Sequence, residues 1–341
     1  MKINFLEWIE KNPLIVNLGI VFLFLVLVFF VGTYKMADDL RFDFAGYAQR
    51  YHFAFSGWIK NLLGGVPSDV FVPTIPSLLP LALRFLGFGN FTLPLALSVL
   101  IFRVLLAASF VLVAKLFNLP KKAGLVVGLL FVLNPIIYNF LDRYYELASW
   151  VFFVPAFVFF YKALNEKQFP GKNFLLAVIF SVLTVLSSTV GAFFLFFGVL
   201  FLIRSKDDIK KLFWAGFLTT GISAFWLFPF TAYYNLSFIS ELNGAILKTA
   251  GITYSSIFLI IIISISLFFL SKQTKFEKRI FQLLLFTLAL AALQFFFPNA
   301  PIINRPFAHS YHIFYLFVLA FAWLSVSKEI KIDTKTVYAF A

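Results

Sequence analysis

Apolar stretches of membrane-spanning length recur from residue 14 to residue 326, and the Lys/Arg-rich connections between them fall on every second loop. A spanning helix needs about 20 apolar residues, because a hydrocarbon core roughly 30 Å thick cannot satisfy open backbone groups. About ten stretches approach this length. They run at about 14–31, 93–117, 124–138, 147–164, 174–186, 190–203, 212–233, 254–270, 280–297 and 307–326. Lys121 and Lys122, Lys167, the run from Arg204 to Lys211, the group Lys272, Lys275, Lys278 and Arg279, and finally Lys328, Lys331 and Lys335 all land on one side. The positive-inside bias makes that side cytoplasmic and places the N-terminus there. Hydropathy and charge are independent signals, and they predict one topology.

Between the first two spans lies the longest polar interruption, about 32–74, with a Pro-rich apolar piece after it. Phe44, Tyr47, Tyr51, Phe55, Trp58 and Leu62 step by three or four residues, which predicts an amphipathic helix lying in the membrane interface. Gly64, Gly65 and Pro67 break it, and Pro73, Pro76 and Pro80 punctuate a second interfacial or re-entrant element up to Leu86. The first apolar stretch is too long for a signal h-region and has no small-residue cleavage site, so it reads as a retained helix. Val337 to Ala341 turn apolar again, as the start of a further span would in a longer chain. The expected fold is all-α: a polytopic integral membrane protein of about ten helices in a single domain, 1–341.

Composition agrees. With 62% hydrophobic and 13% charged residues and a mean hydropathy of +0.95, the chain departs from ordinary soluble domains, which are about a quarter charged. The net charge of +13 invites a nucleic-acid reading, but most basic residues flank cytoplasmic helix ends, which excludes it. No cysteine is present, so thiol and disulfide chemistry are excluded. Walker-type Gly-rich loops, HExxH and GxSxG are absent, and three His without Cys argue against zinc.

The predicted non-cytoplasmic loops hold a different set of residues. Asp38, Asp39 and Asp43 open the first loop, and Asp43, Tyr47 and Arg50 fall within about 60° on one helical face. A carboxylate held just above the bilayer would serve as a general base on an acceptor hydroxyl, or as an oxygen ligand for a divalent cation such as Mg or Mn. The bland alternative is a set of solvated juxtamembrane charges. Asp142, Arg143 and Glu146 form a second acidic loop, which either converges on the same cation or acceptor or pairs internally at a helix end. Arg305, His309 and His312 follow i, i+4, i+7 at the start of the tenth span, where Pro306 suits a first helical turn. A helix N-terminus, a guanidinium and imidazoles together make a phosphate site. The bland alternative there is an interface belt with Tyr311 and Tyr315. Arg103, within the second span, and Arg84 are costly at membrane depth and should face a protein interior or a wet cavity.

The segment Phe42-Asp43-Phe44-Ala45-Gly46-Tyr47-Ala48-Gln49-Arg50-Tyr51 resembles the FDxxxYxxRY-type start of the first external loop in oligosaccharyltransferase catalytic subunits. Pro76-Ser77-Leu78-Leu79-Pro80, running on to Gly87, is similar to the PPL…LL…L-G segment of protein mannosyltransferases. Asn134-Pro135 through Asp142 resembles the end of the third span with its second acidic position. Roughly residues 1–165 thus resemble the GT-C superfamily of membrane glycosyltransferases. The resemblance implies Asp43, or Asp39, as the external-loop catalytic carboxylate and Asp142 as the second acidic residue. The large members carry a soluble C-terminal domain that these 341 residues lack.

The function this implies is transfer of a sugar from a polyprenyl-phosphate donor to a lipid, glycan or protein acceptor at the non-cytoplasmic face of the cell membrane. Asp38, Asp39, Asp43 and Asp142 would be the catalytic candidates. Tyr47, Arg50, Arg143, Glu146, Arg305, His309 and His312 would bind substrate. A divalent cation is compatible with this site but not required by it. The rival readings are a non-catalytic GT-C-like subunit or scaffold of a membrane complex, and a lipid flippase or transporter.

Overall fold

The computed structural model describes residues 78–80, 82–83, 86, 92–134, 144–224, 251–271, 277–296 and 308–327. Among these residues it is all-helical, without a strand. The main elements are α1 (Thr92–Leu116), α2 (Lys121–Leu133), α3 (Tyr144–Asn165), α4 (Lys172–Ser187) and α5 (Thr189–Leu200). They continue with α6 (Lys206–Ile222), α7 (Gly251–Ser271), α8 (Lys278–Phe296) and α9 (Ala308–Val326). Among the described residues, two helices are long and apolar enough to cross a membrane, Leu97–Leu116 and Glu146–Asn165. The spans expected at 14–31 and the interfacial helix expected at 44–62 lie outside the described residues.

Local chemistry moved three boundaries away from the hydropathy reading. α2 stops at Leu133, short of the expected residue 138, because Asn134 precedes Pro135 and takes extended angles of φ −55 and ψ 128. A residue before proline is pushed out of the helical region by the proline ring. α3 starts at Tyr144, so Glu146 stands in its first turn and not in a loop. A carboxylate there faces the positive pole of the helix dipole. α6 begins at Lys206, where a basic loop was expected up to Lys211. The cause is a capping box: Ser205 Oγ accepts from Asp208 N at 3.1 Å, and Asp208 Oδ2 accepts from Ser205 N at 3.2 Å. α1 closes with Asn118 at φ 56, where Leu119 N donates to Ala114 O at 2.9 Å before Pro120.

Ring contacts give the helix directions. Phe153 lies 6.4 Å from Phe314 and 5.0 Å from Phe317, Phe157 lies 5.2 Å from Phe321, and Tyr161 lies 5.5 Å from Phe321. Rising numbers meet rising numbers, so α3 and α9 are parallel. Phe110 with Phe317 at 6.1 Å and Phe117 with Phe321 at 5.1 Å add α1 in the same sense. α5 also runs this way, since Trp150 stacks on Phe194 at 6.0 Å and Gly198 adjoins Phe157. α2 and α4 run opposite to their neighbours: Gly124 packs on Phe110 to Ala114 and Gly128 on Ala107, while Ser149 meets Thr184 and Phe159 meets Phe180. The C-terminal ends of α1, α3 and α5 therefore gather at one end with the basic starts of α2, α4, α6 and α8. Among the described residues, the connections after α1, α3 and α5 lie at this one end of the bundle.

The interior is one apolar core threaded by α3, and the outer faces are apolar as well. Leu105, Leu130, Leu175, Ile179, Phe196, Phe213, Phe217, Ile261, Ile265 and Phe268 are all exposed. A helix apolar all round belongs either to a deep core or to a lipid surface.

Candidate functional site

The end opposite the basic connections holds the described members of the expected site. Glu146 opens α3 and is 8% exposed, and His312, one turn into α9, is fully buried. Phe194 of α5 joins the two helices, touching Tyr311 edge-on at 4.8 Å and Trp150 at 6.0 Å. Ser149 Oγ donates to Thr184 O at 3.3 Å and lies against Gly191, where a Cβ would overlap that hydroxyl. That close approach is why the start of α5 can pack on α3. The His312 ring stands edge-on to Tyr315 at 6.2 Å, inside the core and not on the helix tip. Arg103, near the middle of α1, is 2% exposed and faces the protein interior.

So the structure brings the starts of α3 and α9 to one end, with Glu146 and His312 both buried there. His309 sits in the first turn of α9, of which only the backbone is described. Asp38, Asp39, Asp43, Tyr47, Arg50, Arg84, Asp142, Arg143 and Arg305 lie outside the described residues. Among the described residues no group of three His, Cys, Asp or Glu is placed to hold a metal ion.

A second polar site, at the basic end, was not foreseen. A cleft of about 390 Å3 is lined by Glu166, Ser205, Asp208, Lys210, Lys211 and Arg279, among others. Lys211 Nζ donates to Ala163 O at 2.7 Å and to Glu166 O at 2.6 Å, closing the C-terminal end of α3 from the first turns of α6. Ala163 O also accepts from Glu166 N at 3.2 Å, and the ammonium complements the negative pole of the α3 dipole. Arg279 Nη2 reaches Asp208 Oδ2 at 3.3 Å, which ties the start of α8 to the start of α6. Asp208 also accepts from Arg204 N at 2.9 Å. Asn173 donates to Glu166 Oε1 across the turn between α3 and α4. The Ser205-Lys206-Asp207-Asp208 spacing was the available signal, but the same residues had already served as markers of membrane side.

Glu277, next to Arg279, has its carboxyl pushed above the usual range, first by burial and against the opposing pull of the Arg279 charge. A carboxyl with a folded pKa above its unfolded one favours folding in its protonated form. Its contribution is full below the unfolded value, about 4.3 for Glu, and is lost as pH rises through the raised folded value. Glu277→Gln should therefore match or exceed wild-type stability at neutral pH, with the difference shrinking on acidification. Thermal unfolding from pH 7 to 4.5 reads this directly, and a neutral-pH loss of stability would contradict it.

Neither a scan against protein-family models nor a search of curated proteins finds a match to this chain.

Proposed function

We propose that this is an integral membrane glycosyltransferase that moves a sugar from a polyprenyl-phosphate donor to an acceptor at the non-cytoplasmic face. The observation that carries the reading is the two-ended bundle. Basic connections gather at one end, the starts of α3 and α9 with Glu146 and His312 meet at the other, and the outer faces between are apolar. Lipid is the environment that makes exposed Phe213, Phe217, Phe268 and Leu175 favourable, and positive-inside bias then puts the Glu146 end outside. The connections at that end carry Asp142, Arg143 and Arg305.

The chemistry follows from those residue types. Asp43 or Asp39 takes the proton of an acceptor hydroxyl as its oxygen bonds to the anomeric carbon. The bond from that carbon to the phosphate oxygen breaks, and the polyprenyl phosphate leaves with the electron pair. Arg305, three residues before α9 in sequence, and His309, in its first turn, balance the charge that develops on the phosphate. His312 lies deeper and shapes the inner wall. Exclusion of water near the bilayer strengthens these charge contacts. Asp38 and Asp142 are further candidate carboxylates in the sequence, and a divalent cation held by them would neutralise the donor phosphate.

Transfer of radiolabel from polyprenyl-phosphate sugars by the reconstituted chain, compared with Asp43→Asn, tests the proposal. Loss of a positioned general base should slow transfer by about a hundredfold. Equal rates would move the base to Asp39 or Asp142. Absence of transfer by folded wild type across donors and acceptors would leave a subunit or scaffold without turnover.

A further inference from the structure

The basic-end cleft is lined by more cations than carboxylates. Asp208 is matched by Arg279, Glu166 accepts from Asn173 at Oε1 while its Oε2 is buried without a hydrogen-bond partner, and Lys211 is committed to two carbonyls. Lys210 Nζ stands 5.9 Å from the centroid of the Phe169 ring in the cleft wall, Lys167 completes the cations, and Asp207 opposes them. Arg279 Nη1 has no hydrogen-bond partner, on a side chain only 10% exposed. The Arg204 guanidinium is held below its usual range, first by burial and then by the Arg279 charge, so two guanidiniums crowd one carboxylate. Four cations and three carboxylates line the cleft. An excess of one charge suits a single phosphodiester and rejects a polyanion.

α6 links this cleft to an apolar surface. Lys210, Phe213, Trp214 and Phe217 are spaced i, i+3, i+4, i+7 and share one face. The three rings form an exposed cluster, with centroids 6.1, 6.5 and 5.8 Å apart. Beside them Phe213, Phe217, Phe196 and Gly216 line an apolar groove of about 460 Å3. Gly216 leaves the Phe196 ring edge room, since a Cβ would stand 2.7 Å from it.

We infer that the cleft binds the phosphate of an anionic glycerophospholipid, with Lys210 and Arg279 on the headgroup and an acyl chain along Phe213, Trp214 and Phe217. A zwitterionic choline headgroup would bring its own cation to walls that already hold an excess. Basic pockets at the cytoplasmic membrane surface select anionic lipids by this charge balance. The inference rests on the membrane reading above, because the groove needs a hydrocarbon chain beside it.

Vesicles of phosphatidylcholine containing a small fraction of brominated phosphatidylglycerol, or of brominated phosphatidylcholine, provide the test through tryptophan quenching in the full chain. The glycerol lipid should quench at the lower mole fraction, and Trp214→Phe should remove that component. Lys210 is exposed, so Lys210→Gln should fold, and it should cut the preference about fivefold, the loss expected for one cation near an anionic lipid. Equal quenching by the two lipids, or a preference untouched by Lys210→Gln, overturns the inference while leaving the membrane reading intact. Complete displacement by millimolar inorganic phosphate would make a free phosphate the ligand and overturn the lipid assignment. Failure of the chain to enter vesicles would sink both.

Discussion

Asp208→Ala is expected to lower stability by about 4 kcal/mol, because it strands a buried charge. Asp208 is 2% exposed and receives three groups at once: Arg279 Nη2 at 3.3 Å, Arg204 N at 2.9 Å and Ser205 N at 3.2 Å. Alanine leaves all three donors without that acceptor. Removing one partner of a buried pair costs about 3–5 kcal/mol, mostly from the charge left behind, and loss of a capping box adds about 1 kcal/mol. Asp208→Asn keeps an oxygen for the backbone donors and loses the charge, so it should cost less. Asp208→Ala with Arg279→Met should recover part of the loss, since no unpaired guanidinium remains. Unfolding of the three variants in one detergent orders them. A double variant as unstable as the sum of its parts would show that the pair is not the source of the cost.

Gly128→Val should be damaging by a different route, through the backbone. A Cβ on Gly128 would stand 2.8 Å from the carbonyl carbon and 3.0 Å from Cα of Ala107, and one on Gly124 would stand 2.8 Å from Cα of Val111. Neither neighbour has a flexible end to yield. The two glycines, four residues apart, let α2 lie against α1 at backbone distance, as small residues do where helices meet in membranes. Valine must force the pair apart, costing about 3 kcal/mol, at the upper end for overpacking. Gly221 is the control: a Cβ there meets nothing within 4 Å. Gly221→Ala should be close to neutral, and matching losses at Gly128 and Gly221 would remove the packing argument.

Among the described residues, the helices and the gathering of the connections after α1, α3 and α5 at one end were legible in the sequence, because apolar runs and basic flanks are properties of the chain itself. Boundaries were legible only where a capping or breaking residue was weighed against hydropathy. Pro135 and Ser205 moved the ends of α2 and α6 because backbone geometry and donor satisfaction act within a few residues. Hydropathy averages over those few residues and hides them. The Gly124 and Gly128 contact was visible as spacing but not as a partner, since nothing in one sequence says that Ala107 lies opposite. Of the expected site, Glu146 and His312 stand at one end, both more deeply buried than loop or helix-tip residues would be. The basic cleft was overlooked because one set of charges served two purposes. Lys210, Lys211 and Arg279 marked the membrane side and also built a shaped surface.

α9 is inserted among helices from the front of the chain. Phe317 touches Phe110 and Phe153, and Phe321 touches Phe117 and Phe157, so the last described helix is keyed into α1 and α3 at successive levels. Alternating access generally rocks one half of a transporter chain against the other across a seam between them. Here the seam between early and late helices is interlocked by ring edges, each worth about 0.5–1.5 kcal/mol beyond its area. Rocking early helices against late ones would have to unkey several rings together. Such a bundle behaves as a frame whose early and late helices hold one another in place.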